Sequence, residues 1–268
     1  MSEKMRRHAD GSSITQYGPT ERFTARVDAY MRYRPRYPDA IVETLTAEAG
    51  LTPASVVADV GCGTGISSAL FLRNGNRVYG IEPNAAMREA ATAQLDAYAA
   101  FTPIDGAAEA TTLEDSTVDY VVAGQALHWF RLEETRDEFA RILRPGGWVA
   151  LFWNLRNVEA SPFMDGYETR LKRYSPDYER VHQTRLDDSD HSALFGHNGC
   201  QARSFANPYW LDFAAVMGRT ASSSYAPTVD DPAYGQLEAD LKALFNEHAV
   251  DGVVRFEYTT EFLFGHTS

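Results

Sequence analysis

Asp59, Gly61, Gly63 and Gly65 fall together in VVADVGCGTG, where an apolar run breaks into alternating glycines. Glycines at such a turn adopt positive φ and let the backbone touch a ligand. Glu82 closes the next apolar run, RVYGIE, where a carboxylate can accept both hydroxyls of a ribose. Further on, QALHWF places Gln125, His128 and Trp129 directly behind the run VDYVVAG. A neutral imidazole there can take a proton near pH 7, which makes His128 the candidate general base.

These residues need a scaffold that brings run ends together. Short apolar runs alternate with helical stretches from residue 56 to 154: VVADV, RVYGIE, AYAAFTPI, DSTVDYVVAG and WVALFWN read as strands. The intervening ISSALFLRNG, NAAMREAATAQL and RLEETRDEFARIL read as helices, with Asn84 as an N-cap and Arg144-Pro145-Gly146-Gly147 as a stop. Such alternation calls for a mostly parallel sheet covered on both faces. In an open sheet of that kind, ligands sit outside the carboxyl ends of the strands. The rule gathers residues 124–129, with Asn154 and Arg156 beyond the fifth strand, around one site.

Upstream, YMRYRPRYP interrupts a helical stretch with two prolines. Beyond Arg156 the alternation lapses: Ser161-Pro162 opens a helix whose Phe163, Tyr167, Leu171 and Tyr174 share one face, and VVRFEYTTEFLFG reads as a closing strand. The expected organisation is a flexible tail over residues 1–20 and one domain over 21–268. Residues 155–250 would act within it as an acceptor-binding cap.

The formal charge of −12 over 268 residues argues against a long polyanionic partner such as nucleic acid. Two cysteines make no disulfide framework, and no stretch approaches a membrane span, so a cytoplasmic monomer or homodimer is expected. His191, His197 and the aspartates at 187, 188 and 190 match no standard metal spacing, and no metal is expected. The spacing G-x-G-x-G, with Ile66 where a dinucleotide fingerprint has its third glycine, weakens a nicotinamide-cofactor reading without removing it.

VVADVGCGTG, GIEP, VDYVVAGQALHWF and LRPGGWVALFW together resemble class I S-adenosyl-L-methionine (SAM)-dependent methyltransferases. The chain is most similar to the type 11 small-molecule subset that includes trans-aconitate methyltransferase-like proteins. The resemblance implies an α/β, Rossmann-like seven-stranded sheet, mostly parallel with the last strand antiparallel, helices on both faces and a C-terminal cap insertion. It implies SAM as cofactor, S-adenosyl-L-homocysteine (SAH) as product and a small-molecule methyl acceptor. Asp59, Gly61 and Gly63 would line the methionyl part of SAM, with Glu82 on the ribose. Pro83 and Met87 would flank the adenine, Ala108 and Glu109 would lie at its edge, and Gln125 would join the cofactor side. Ala107 departs from the acidic residue that many relatives carry there. Tyr30 and Arg34 are the residues expected to meet the SAM carboxylate or an anionic substrate, because arginine donates two parallel hydrogen bonds. Trp129, Asn154 and Arg156 are the expected substrate contacts. Two alternatives stay open: an NAD(P)-dependent oxidoreductase and a non-catalytic SAM-binding protein.

Overall fold

The computed structural model describes residues 32–175, 178, 194–196, 199–223 and 225–267. Tyr30, the tail over residues 1–20, His191, His197 and the aspartates at 187, 188 and 190 lie outside them. The chain runs α1 (Ala40–Ala49), β1 (Val56–Val60), α2 (Ile66–Arg73), β2 (Arg77–Ile81), α3 (Ala85–Gln94), β3 (Phe101–Ile104) and β4 (Val118–Gly124). It continues with a 3-10 turn (Leu127–Trp129), α4 (Leu132–Ile142), β5 (Leu143–Arg156), α5 (Pro162–Tyr174), β6 (Gln201–Ala206) and β7 (Tyr209–Leu211). Then come α6 (Phe213–Ala221), α7 (Tyr234–His248), β8 (Val254–Phe256) and β9 (Tyr258–Gly265).

Seven strands form one sheet in the order β3-β2-β1-β4-β5-β9-β6. The β1–β2, β1–β4, β2–β3 and β4–β5 pairs are parallel, and β9 runs antiparallel to both β5 and β6. Alternate residues of each central strand feed two different cores, as the period of two requires. Val57, Val122, Ala150 and Phe152 pack with Ile41 of α1 and Phe71 of α2. Ala58, Val121, Val149 and Leu151 pack with Phe139 and Ile142 of α4. Both faces of the sheet are therefore covered.

Asn84 caps α3 by accepting the Met87 N–H at 3.1 Å, and Ser161 caps α5 by accepting the Met164 N–H at 3.2 Å. The 144–147 segment is not a loop between helix and strand. It lies inside β5 as a bulge: Val118 pairs with Leu143, but Tyr120 pairs with Trp148. Gly147 sits where an added Cβ would lie 3.0 Å from the Asp119 carbonyl oxygen, so the strands close tightly there.

The described residues of 155–250, together with β8, divide in two. β6 adds to the edge of the main sheet, whereas α5, α6, α7 and the β7–β8 pair build a separate core. Phe163, Tyr167 and Leu171 of α5 face Leu237, Leu241 and Leu244 of α7 across it.

Candidate active site

The glycine turn starts where β1 ends. Gly61 and Gly63 have φ of 70° and 56°, the left-handed region that a Cβ disfavours. Their surroundings differ. A Cβ on Gly61 would fall 2.7 Å from the Ala126 Cβ, whereas one on Gly63 would meet nothing within 4 Å. Gly61 is a close approach between protein segments, and Gly63 borders open space. Gly65 serves packing, since its Cβ would lie 2.6 Å from Leu95.

Asp59 is fully buried just before this turn. The Ser67 and Ser68 hydroxyls of α2 donate to its Oδ2 at 2.7 and 2.6 Å, while its Oδ1 has no hydrogen-bond partner among the described residues. Burial pushes the carboxyl up to about 6; the two hydroxyls oppose that rise and the nearby Glu82 charge adds to it. Glu82 bridges the turn to the next helix, its Oε2 accepting the Gly63 N–H at 3.0 Å and its Oε1 the Asn84 N–H at 2.9 Å. Its own pKa is raised by burial, against the pull of those N–H donors and of Arg88. Pro83 beside it is exposed, and Met87 is buried one helical turn on.

A cleft of about 370 Å³, open solvent at its mouth included, lies over the turn. Arg34 and Tyr37 of the 34–37 segment, Gly61, Cys62 and Ser67 of the turn, and Gln125 after β4 line it. Tyr37 closes against Phe152 with ring centroids 4.5 Å apart. Gln125 holds a positive φ of 60°, and its Oε1 accepts the Asn154 N–H at 2.9 Å. The structure thus brings Arg34, Asp59, Gly61, Gly63, Glu82 and Gln125 to one end of the sheet. Ala108 packs into the sheet core, and Glu109 accepts the Arg131 N–H at 2.8 Å.

His128 rides on the 3-10 turn, partly buried, its ring 4.8 Å from that of Trp129. Burial and then the Arg34 charge push its imidazole down to about 4. It is neutral at pH 7, but a base of that strength gains little from proton transfer in a transition state. Neither His128 nor Trp129 is among the residues lining the cleft.

Asn154 and Arg156 turn out to be engaged within the protein. The Asn154 side-chain Oδ1 accepts from Thr260 Oγ1 at 2.6 Å and Asn207 Nδ2 at 3.1 Å, and its Nδ2 donates to the Arg36 backbone carbonyl at 3.3 Å. It fastens the 34–37 segment over the sheet. Arg156 points into the cap, donating to Glu168 at 3.0 Å, Tyr225 at 2.8 Å and Tyr178 at 3.2 Å. Sequence reasoning missed Tyr37, Ser67, Ser68 and Glu168. Tyr37 lies inside YMRYRPRYP and could have been found there; nothing in the sequence marks which way Glu168 faces.

A doubly covered sheet with one reversed strand, and a glycine turn between two buried carboxylates, defines a Rossmann-like protein of the methyltransferase class. Comparison with known proteins agrees. Residues 58–151 match the type 11 methyltransferase domain family. An uncharacterized methyltransferase of Mycobacterium tuberculosis is 36% identical over 135 residues, 50% of this chain and 53% of its own length. Another, from Geobacillus kaustophilus, is 30% identical over 63% of this chain and 77% of its own length. A methyltransferase structure from Anaeromyxobacter dehalogenans superposes with a TM-score of 0.65 at 26% identity, covering 88% of this chain and 98% of that one. The chain belongs to the methyltransferases, with the type 11 domain over residues 58–151. It spans about half the length of the mycobacterial relatives it matches. Among the described residues, no helix is long and apolar enough to cross a membrane.

Proposed function

We propose that the protein transfers a methyl group from SAM to a small-molecule acceptor held between the 34–37 segment and the cap. The observation that carries the cofactor assignment is Asp59, a fully buried carboxylate with one oxygen unpartnered at the glycine turn. A diphosphate over that turn would meet two buried carboxylates, Asp59 and Glu82, and be repelled. An ammonium or hydroxyl donor would be welcomed, and SAM carries both. The open space at Gly63 gives such a ligand room against the backbone.

Bound SAM would supply an electrophilic methyl whose leaving group is the neutral thioether of SAH. The chain's own work is alignment and exclusion of water. Glu82, held by two backbone N–H groups, presents fixed acceptor lone pairs to the ribose. Tyr37 and Arg34 roof the cleft. His128, neutral and poorly basic, shapes the wall beyond Gln125. An acceptor that reacts as an anion needs no base at all, which suits an imidazole of this kind.

Calorimetric titration with SAM, SAH and NAD tests the assignment. SAM and SAH should bind the wild type, and Glu82→Ala should weaken both by about tenfold or more. Binding of NAD alone would sink the proposal in favour of an oxidoreductase. Methyl transfer from labelled SAM to a metabolite extract then separates an enzyme from a non-catalytic SAM-binding protein.

A further inference from the structure

Two arginines are buried in the cap, and they are treated differently. Arg156 has a carboxylate, Glu168, at 3.0 Å and two tyrosine hydroxyls. Arg219, on α6, is only 6% exposed, and its Nε and Nη1 are buried with no hydrogen-bond partner among the described residues. Its guanidinium carbon lies 4.9 Å from the Tyr209 ring centroid, 5.3 Å from that of Tyr258 and 5.7 Å from that of Phe256. The rings offset part of the desolvation through their faces. They do nothing for the N–H bonds, which lie in the guanidinium plane. Buried donors left unpaired are costly, and charged ones more so. Nε and Nη1 each share with Nη2 one edge of the planar group, the edges from which arginine donates two parallel hydrogen bonds to a carboxylate.

The position of Arg219 points the same way. Three residues beyond Arg219, just past the end of α6, the chain meets the cleft's roof: Arg34 donates to the Ser222 carbonyl at 2.9 Å. Gly218 faces Tyr33 so closely that an added Cβ would lie 2.3 Å from its ring. Tyr209, over the guanidinium, bonds both the N–H and the carbonyl of Arg36, at 2.8 and 3.1 Å. Tyr258, a second ring against the guanidinium, is the register partner of Arg156 at the carboxyl end of β5. The unpartnered cation therefore sits behind the cofactor's cover, on the acceptor side.

We infer that Arg219 is the anion anchor of the acceptor pocket, binding a carboxylate carried by the methyl acceptor while Tyr209, Phe256 and Tyr258 wall its apolar or aryl body. The acceptor class is thus a small organic carboxylate. The inference rests on the methyltransferase reading, and the test keeps the two apart.

Thermal unfolding is followed with benzoate, phenylacetate and trans-cinnamate, each against its primary amide, with and without SAH. The acids should stabilise the wild type and the amides should not. Arg219→Gln should weaken the acid response by about tenfold or more, Arg219→Lys should keep part of it, and SAH affinity should stay within about twofold in both. The inference is overturned if no acid outperforms its amide, or if Arg219→Gln responds like the wild type. A parallel loss of SAH affinity would also overturn it, by placing Arg219 on the cofactor. If Arg219→Gln fails to fold, Arg219→Lys and the wild-type acid–amide pairs decide alone. Absence of SAH binding to the wild type would instead defeat the cofactor assignment, and the acid–amide comparison without SAH would still decide on Arg219.

Discussion

The glycine-turn side of the molecule buries negative charge, and the cap side buries positive charge. Asp59 and Glu82 stand at the ends of β1 and β2 with raised pKa values, and Arg34, Arg156 and Arg219 lie between the roof and the cap. The acidic side is set by short local spacings, since Gly63 of the turn and Ser67 and Ser68 of α2 all lie within nine residues of Asp59. The basic side is assembled from segments far apart in the chain, as Arg34 to Ser222 and Arg156 to Tyr225 illustrate. A cationic cofactor and an anionic acceptor would each find the opposite charge, with the methyl between them.

The sharpest break of this contrast lies within the glycine turn. Gly61→Val, with φ at 70° and Ala126 in the way, should cost about 3 kcal/mol or more of unfolding free energy in urea titration. Gly63→Ala meets no protein atom, so it should cost only the left-handed strain, about 1–2 kcal/mol. It should nevertheless lose about tenfold or more in SAH affinity, or at least 1.4 kcal/mol. Undiminished SAH binding by Gly63→Ala would mean that the ligand does not cross the turn.

The two cap arginines give the next test. Glu168→Gln removes the carboxylate charge beside the largely enclosed Arg156 guanidinium, and about 3 kcal/mol of stability should go with it. Arg219→Met removes a charge that is already unpaired, so its stability should stay within about 1 kcal/mol of the wild type. Equal losses in denaturant melts would show that Arg219 is structural, like Arg156.

The smallest effect is a pair of opposed pH slopes. Asp59 holds its proton more tightly folded than unfolded, so its contribution is present below the ordinary 3.8 and is lost as pH rises through about 6. Glu82 is shifted in the same direction. His128 is depressed from 6.5 to about 4, so its contribution is present above 6.5 and is lost as pH falls toward 4. The two slopes oppose each other in the wild type. Unfolding between pH 4.5 and 6.5 should show Asp59→Asn gaining stability as pH rises and His128→Gln losing it. Parallel behaviour of the two variants would refute these shifts.

The sheet was legible because its strands are short, apolar and punctuated: β1 coincides with VVADV, and β4 with the run before QALHWF. The turn and Glu82 were legible because their spacing is local. The partners of Asn154 were not legible because the strand-end rule gives an edge but not a direction. Three hydrogen bonds to Thr260, Asn207 and Arg36 draw its amide into the protein. Arg219 was invisible for a related reason. FAAVMGRTA is an amphipathic helix like many others, and only the rings of Tyr209 on neighbouring β7, Phe256 at the end of β8 and Tyr258 at the start of β9 make its arginine interior. Likewise QARSFA, with its polar alternation, gave no sign that β6 would extend the sheet beyond β9.

The reversal of β9 has a practical consequence. Tyr258 begins the strand beside Arg156 at the ligand-bearing edge, and Gly265 ends it beside Val149 at the opposite edge. A fluorophore or surface tether attached at Thr267 would hang from the far side of the sheet. Immobilised that way, the protein would face its cleft toward the bulk solution, leaving cofactor and acceptor free to diffuse in.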